Sequence, residues 1–592
     1  MSEPGVDVGG TSAVLADLMA HGVGPGDWIG LAVASGIGVG LAAGAHVVGR
    51  ACADPVDLVA QLESALHPRW IWWDARTPAS LAAGGLRAAR CWDVAAVHRL
   101  LFGGWRAAPD VAWASLHGLP IADLPTTGQL DLLGLAGDDG PDLSTAVRPD
   151  GYLRPEWVSD GWARSADRLA DWARTAAIAA ARQLEQLRAT PADGDPLSTA
   201  WSESAAEMLC TELQADGLPI DRDRAEQLIA ASAGPRPRDE ADATRIRAER
   251  DAAVLAHVPG ARGVDLRNPA QVRAMLATIG FELPDTRSWR LEPFRRSHPV
   301  IGPLLAWRKA ERISTTYGYG WLEANVGTDG RLRGGWTGSD GAAGRMTAQA
   351  GLHNLPAELR PAVAAEPGHV LVRADLGQIE PRVLAVVSGD AAFARAGLEN
   401  DLYAPVAARL GVERPIAKVA VLAAMYGQTS GSAGEALKGM QAAYPDAMRY
   451  LDAAYDEGRA GRGVRTHGGR LVRMPALPED LDEAGVRSAQ AARGRYARNA
   501  VIQGAAAEFF KTWAVIVRAR AAALDARIVL CLHDELLVHA PRERADAVAD
   551  LLRVCLNETA GRWQAGHTSV RFVADISVLE RWSDAKPVPA PN

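Results

Sequence analysis

Two apolar stretches of this sequence carry acids where acids are costly. HVLVRADL (369–376) reads as a buried strand ending at Asp375, and LCLHDELLVHA (530–540) sets His533, Asp534 and Glu535 inside another apolar run. A buried carboxylate without a partner is strongly unfavourable, or shifts its pKa until it is neutral. Either a tight turn splits the second run, or a cation meets the acids there. Two such strands side by side would place Asp375 and Asp534 at one edge of a sheet. That geometry suits a pair of Mg²⁺ ions, which take oxygen ligands and lie about 3.5–4 Å apart in two-metal sites. A single Asp after a strand is more simply a turn former; two matched cases in one region bring the metal forward.

A third stretch supplies cations. In RPIAKVAVLAAMYGQTSG (414–431), Arg414, Lys418, Leu422 and Tyr426 recur every four residues and so share one helix face. Pro415 belongs in a first turn, which puts Arg414 at the helix N-terminus, where the dipole and free N–H groups favour an anion. A phosphate tail near the cations and a flat base near the ring would fit; an ordinary surface helix is the alternative.

These stretches need a scaffold. Up to about residue 195, short apolar runs (WIGLAVA, WIWWDA) alternate with helical patterns, as in a small α/β domain, and SADRLADWARTAAIAAARQLEQLR (165–188) reads as a long amphipathic helix. ATPADGDPLST (189–199) has the composition of a linker. From 200 to about 325 the pattern is helical, with Arg and Glu densely interleaved. Glycine-rich GRLRGGWTGSDGAAGRMTA (330–348) then leads to the acid-bearing strands, with long helices between them. WIGLAVASGIGVGLAAGAHVVG (28–49) is long enough for a membrane span, yet it is dense in Gly and Ala and has no basic region before it. It reads as two short strands around a turn at GIGVG, and no membrane span or export signal is expected.

A net charge of −8 gives no general attraction to nucleic acid, so any DNA surface must be local. Two stretches offer one: RSWRLEPFRRSHP (287–299) with WRKAER (307–312), and RAGRGVRTHGGRLVR (459–473). The cysteines (Cys52, Cys91, Cys210, Cys531, Cys555) are scattered without a CxxC pair, which argues against a zinc site or disulfide framework and suits a reducing cytoplasm.

Together the three chemical stretches resemble motifs A, B and C of family A DNA polymerases, the DNA polymerase I type. The family's D-Y-S-Q-I-E-L-R stands here as Asp375-Leu376-Gly377-Gln378-Ile379-Glu380-Pro381-Arg382. Its R-x-x-x-K-x-x-x-F-G-x-x-Y-G runs from Arg414 to Gly427, and its His-Asp-Glu is His533-Asp534-Glu535. GRMTAQAGLHNLP (344–356) and RYARNAVIQGAAAEF (495–509) match in order, and GLPIDRDRAEQL, NPAQVRAML and WRKAERISTTYG look like the family's thumb. The resemblance covers 200–592 well and 1–195 weakly.

That resemblance implies an α/β 3′–5′ exonuclease-like domain (1–195) before an α+β right hand. Its thumb would be 196–335, its palm 336–400 and 496–592, and its fingers 401–495. It implies a DNA-directed DNA polymerase that adds dNTPs to a primer 3′-hydroxyl on primer–template DNA, as a monomer in the cytoplasm at the nucleoid. Two Mg²⁺ ions, with Mn²⁺ as substitute, would be held by Asp375 and Asp534, with the Leu376 carbonyl as a further ligand and Glu535 behind them. Arg414 and Lys418 would grip the triphosphate. Gln378, Glu380, Tyr403, Leu422, Tyr426 and His533 would surround the nucleotide, with Glu380 crowding the ribose 2′ position. Arg312, Arg345, Asn354, Arg495, Asn499 and Gln503 would contact template or primer.

The sequence departs from the family pattern in places. Leu422 and Ala423 stand where the family has an aromatic residue and a glycine, Tyr403 where a phosphate-contacting His is common, and Pro381 where an aliphatic residue is usual. Weaker stacking on the incoming nucleotide implies lower turnover or looser sugar selection. In the N-terminal domain the strand WIGLAVAS has no acid, and only Asp74 and Asp93 remain as candidate metal ligands, so the domain is expected to be structural. No counterpart of the family's 5′ nuclease domain is expected in these residues. Two rival readings are an exonuclease, alone or bifunctional, and a non-catalytic DNA-binding scaffold. The first has its acids in the wrong half, and the second has no use for Asp375, Lys418 and Asp534 together.

Overall fold

The computed structural model describes residues 8–126, 144–261, 263–427, 432–566 and 569–585. The end of the cationic helix stretch, 428–431, lies outside them. The chain forms two compact units. The first holds Met1–Asp216, Gly335–Thr347 and Val372–Val578; the second holds Gly217–Gly334, Ala348–Leu371 and Leu579–Asn592.

The N-terminal part of the first unit is a five-stranded sheet of β1 (Trp28–Ala34), β2 (Gly38–Ala43), β3 (His46–Ala51), β4 (Arg69–Trp72) and β5 (Arg90–Asp93), in the order β3-β2-β1-β4-β5. The first three strands form an antiparallel meander, and β4 and β5 run parallel to β1. The membrane-like stretch 28–49 is thus three strands, where two were expected. Its small residues have a packing reason. Gly30, Gly40 and Gly49 lie on neighbouring strands beneath the helix Ala166–Ala189, and a Cβ at any of them would overlap the backbone of Ala173, Leu169 or Ala166. Only glycine lets the helix settle this deeply.

Tryptophans fill the rest of this core. Trp70, Trp72, Trp92 and Trp157 are fully buried. The indole N–H of Trp92 reaches Gln183 (2.8 Å) and that of Trp72 reaches Asp93 (3.0 Å), so burial leaves neither of these donors orphaned. His98 shares the core at 2% exposure, and burial, then Arg473 and Arg99, lower its pKa to about 4. A histidine held neutral in the folded state stabilises fully above its unfolded pKa, near 6.5, and that contribution disappears as the pH falls toward 4. The loss is on the order of 2–3 kcal/mol. His98→Phe is expected to flatten the acid limb of unfolding between pH 6.5 and 4, followed by near-UV tryptophan signal. An unchanged limb would assign the acid sensitivity elsewhere.

The linker is shorter than its composition suggests. A helix resumes at Pro196 and runs to Asp216, with buried acids along its length. Glu207 pairs with Arg99 (2.7 Å), Glu212 with Arg518 (2.5 Å), and Glu203 with both Arg470 and Lys511. These pairs tie the helix into the first unit, which includes the chain to Asp216. Burial of so many charges is tolerable only because each acid meets a cation.

A second sheet in the first unit has four strands, in the order Arg527–Leu532, Glu535–Pro541, His369–Gly377, Val573–Leu579. Against it packs the 39-residue helix Glu483–Ala521. Among the described residues this helix, continued to Leu524, is long and apolar enough to cross a membrane, yet 78% of its apolar window is buried inside the protein. It is a core helix.

The second unit is helical, with Val272, Leu276, Leu304 and Trp307 in its core. Much of its interleaved charge is paired internally: Arg267 bonds Asp251 and Glu311, and Arg290 and Arg295 bond Asp285 and Glu292. The basic stretch 459–473 is corrected more sharply. Arg462 pairs with Glu457, Arg465 donates to the Gly469 carbonyl, Arg473 donates to the Phe102 carbonyl, and Arg470 is buried on Glu203. Arg465 and Arg470 are thus committed to the fold, while Arg462 forms an exposed ion pair.

Candidate active site

The apolar run 530–540 is split by a turn. Strands Arg527–Leu532 and Glu535–Pro541 pair antiparallel with Leu532 opposite Glu535, which leaves His533 and Asp534 as a two-residue connection. The Asp534 carbonyl accepts the Leu376 N–H at 2.8 Å. The residue after Asp375 is therefore bonded to the turn that carries Asp534, and both acids reach one edge of the sheet. Adjacent strands lie about 4.8 Å apart, within range for two carboxylates to share cations.

Electrostatics show what the acids lack. Burial pushes the Asp375 carboxyl up, although Arg373 beside it pulls the other way. Asp534 is only partly exposed, and burial, then Asp375 and Glu535, raise its pKa to about 7. No cation pairs with Asp534 among the described residues. Glu535 is tucked under the edge at 9% side-chain exposure, bonded to Arg373 at 2.8 Å. An oxygen-only donor set with excess negative charge fits a hard divalent cation such as Mg²⁺.

Just past Asp375 the backbone turns sharply. Gln378 adopts φ 58°, a left-handed conformation that strains a residue with a Cβ. Its side chain is fixed there: Nε2 donates to Asp401 (2.6 Å) and Oε1 accepts the Leu402 N–H (2.9 Å). The turn starts the helix Ile379–Val387, which carries Glu380 back beside the acids. Arg345 donates to one Glu380 oxygen (2.8 Å) and the Tyr426 hydroxyl to the other (2.9 Å). Pro381 is in the first turn of this helix, where no N–H is needed. Arg382 is buried beneath, its donors taken by the carbonyls of Gly377, Gly397, Glu399, Asn400 and Arg571.

A cavity of about 300 Å³ opens here. Arg345, Gln378, Glu380, Tyr403, Leu422, Gln503, His533 and Asp534 line it, with Ile379, Pro381, Ala506 and Ala507. Eight residues singled out by sequence thus meet around one space. The helix Arg414–Tyr426 forms as expected, with Pro415 in its first turn and Gly427 closing it in a left-handed conformation. Ala417, Ala420, Val421, Ala424 and Met425 face inward, while Arg414 is exposed and Lys418, Leu422 and Tyr426 are half-buried along one flank of that face. Lys418 has no hydrogen bond or ion pair among the described residues. Arg414 is held instead by Asp401, through Nε (2.5 Å) and Nη2 (3.2 Å).

On the 39-residue helix, Arg495, Asn499 and Gln503 recur at intervals of four, and Gln503 hydrogen-bonds Tyr426. The Asn499 Oδ1 is buried without a hydrogen-bond partner. Arg312 and Asn354 belong to the second unit, where Arg312 donates to the Asn354 carbonyl at 2.7 Å. Two site residues escaped sequence reasoning. Asp401 is the hub between Gln378 and Arg414. Arg373 bonds both Asp375 and Glu535, and a charge two residues from Asp375 inside an apolar strand was the available signal.

The sequence model described as DNA polymerase family A matches residues 263–584, more than half of the chain. DNA polymerase I of Chloroflexus aurantiacus is 34% identical over 296 residues, 44% of this chain and 30% of the relative. The thermostable DNA polymerase I of Thermus aquaticus is 30% identical over 324 residues, 50% of this chain and 38% of the relative. The chain's match therefore spans about a third of each relative's length. A solved structure described as the POL domain of Pol1 from M. smegmatis, in complex with DNA primer-template and dNTP, shares the fold at TM-score 0.67. It covers 99% of both chains at 21% identity.

Proposed function

Because this chain belongs to DNA polymerase family A, we propose that it extends a primer 3′-hydroxyl with dNTPs on a DNA template by two-metal phosphoryl transfer. The observation that carries the reading is the Leu376–Asp534 backbone bond, which sets the residue after Asp375 against the turn that carries Asp534, itself a lining residue of the cavity. Asp375 and Asp534 would hold the two divalent ions, with Leu376 supplying a carbonyl. Bound there, the ions supply Lewis-acid stabilisation of the attacking and leaving oxygens. The residues of the chain do the positioning. Lys418 is available for the triphosphate, where charge-assisted bonds strengthen as charge moves to the leaving group. Arg414 joins it by exchanging Asp401 for a phosphate oxygen.

Glu380 forms the wall against the ribose, held from two sides by Arg345 and Tyr426. Glu380→Ala is expected to raise ribonucleotide incorporation relative to dNTP by about 10- to 200-fold, the range open to one pocket contact. Single-nucleotide incorporation with matched rNTP and dNTP checks this; an unchanged ratio would remove Glu380 from sugar selection. Leu422 lines the cavity where an aromatic ring would stack more strongly, which supports slower turnover or looser selection. Palm, fingers and thumb are our assignment of the four-stranded sheet, the helices around 401–495, and the helical second unit.

The N-terminal sheet suits a catalytically silent exonuclease-like domain. The helix Ala166–Ala189 sits directly on Gly30, Gly40 and Gly49, where ligands to a metal would otherwise need room. Both remaining acids serve structure: Asp93 caps the helix Val94–Phe102 and accepts from Trp72, and Asp74 pairs with Arg76. A primer–template assay with four dNTPs and Mg²⁺ tests the whole reading. Elongation supports it, shortening would name an exonuclease, and a gel shift with neither would name a scaffold. Steep loss of DNA affinity with salt should accompany elongation.

A further inference from the structure

Arg373 stands out among the buried cations. It lies on the same face of the strand His369–Gly377 as Asp375, two residues on, and its side chain is 7% exposed. One nitrogen, Nη2, donates both to Asp375 Oδ2 (2.5 Å) and to Glu535 Oε2 (2.8 Å), while Nε has no hydrogen-bond partner. Arg382, seven residues beyond Asp375, shows how a buried structural arginine is satisfied here, with its donors spread over five backbone carbonyls. Arg373 makes no such network. Its recorded hydrogen bonds go to two carboxylates of the acid cluster.

We propose that Arg373 is a built-in counter-cation of the metal site. It holds Asp375 and Glu535 in place while no divalent ion is bound, and it competes with that ion for Asp375. A guanidinium stays charged at every working pH, so the competition is permanent, and an ion at Asp375 must share that carboxylate with Arg373 or displace its bond. Two consequences follow from charge alone. Metal-free protein keeps an ordered acid cluster despite the repulsion among Asp375, Asp534 and Glu535. Divalent affinity is weaker than the same acids would give without a neighbouring cation. Arg373 is thus a positioning residue that sets the metal concentration at which the enzyme works. The inference rests on the reading that Asp375 and Asp534 are metal ligands.

The test is Mn²⁺ binding to the full chain without DNA, followed by electron paramagnetic resonance, beside thermal unfolding with and without Mn²⁺. Arg373→Gln removes the charge and keeps a polar side chain; Arg373→Lys keeps the charge. Arg373→Gln is expected to bind Mn²⁺ about tenfold more tightly, the effect of one charge removed at contact distance. It is also expected to melt lower than wild type without metal and to recover with saturating Mn²⁺, while Arg373→Lys stays near wild type in both. Unchanged or weaker Mn²⁺ binding by Arg373→Gln, or a melting loss that Mn²⁺ does not restore, would overturn the proposal and leave Arg373 a packing residue. Asp534→Asn is the control. If wild type and Asp534→Asn bind Mn²⁺ alike, the metal assignment itself falls, and this inference with it.

Discussion

Asp534→Asn is expected to lower primer extension by about 10³-fold or more, since loss of a shared metal ligand removes several kcal/mol of transition-state stabilisation. Asparagine keeps the shape of the His533–Asp534 turn, and the Asp534 carbonyl that accepts Leu376 N–H is backbone. The fold should therefore survive. It should even gain, because the Asp534 carboxyl is raised to about 7 by burial and by Asp375. A carboxyl with a raised folded pKa stabilises fully below its unfolded pKa, near 4, and that stability is lost as the pH rises through 7. At pH 8 the metal-free Asp534→Asn protein should melt at or above wild type while extension is lost. Stability gained at the cost of activity is the signature of a functional acid. Melting well below wild type would instead make Asp534 a structural residue.

Lys418→Ala carries the second-largest effect. Lys418 lies one turn along the helix from Arg414, half-buried, and has no hydrogen-bond or ion-pair partner to lose among the described residues. Its removal should leave the melting temperature nearly unchanged. Single-turnover nucleotide addition should fall by roughly 10²–10³, the usual consequence of deleting one donor aimed at developing charge. Arg414→Ala should cost less, because Asp401 already holds Arg414 and part of its binding energy goes to breaking that pair. Rapid-quench measurement of one incorporation checks both variants. Equal or reversed effects would mean that Arg414, despite its pairing, is the principal phosphate ligand.

The site was more legible than its support. Asp375 and Asp534 could be read because each interrupts an apolar run, and the helix face could be read because its period is strict. Tight-turn and cation explanations for the run 530–540 looked exclusive, yet the structure uses the turn to expose an acid suited to a cation. What sequence hid was pairing across long separations. Arg373 reads as one charge in a strand until Glu535, distant in the chain, comes alongside it. Arg470 reads as part of a basic patch until Glu203 is packed against it. At 195/196 Pro, Gly and Asp mark a break, and the next helix turns its acids back into the first unit, a pairing that composition does not show. The glycines of 28–49 suggested a turn, and three of them instead make room for a helix more than a hundred residues away.

The most direct test of the central assignment is anomalous scattering from Mn²⁺ in crystals of the chain with primer–template and a non-hydrolysable dNTP. Two peaks about 3.5–4 Å apart, both touching carboxylate oxygens of Asp375 and Asp534, are expected. Peaks bound elsewhere, or a single ion that leaves Asp534 untouched, would contradict it.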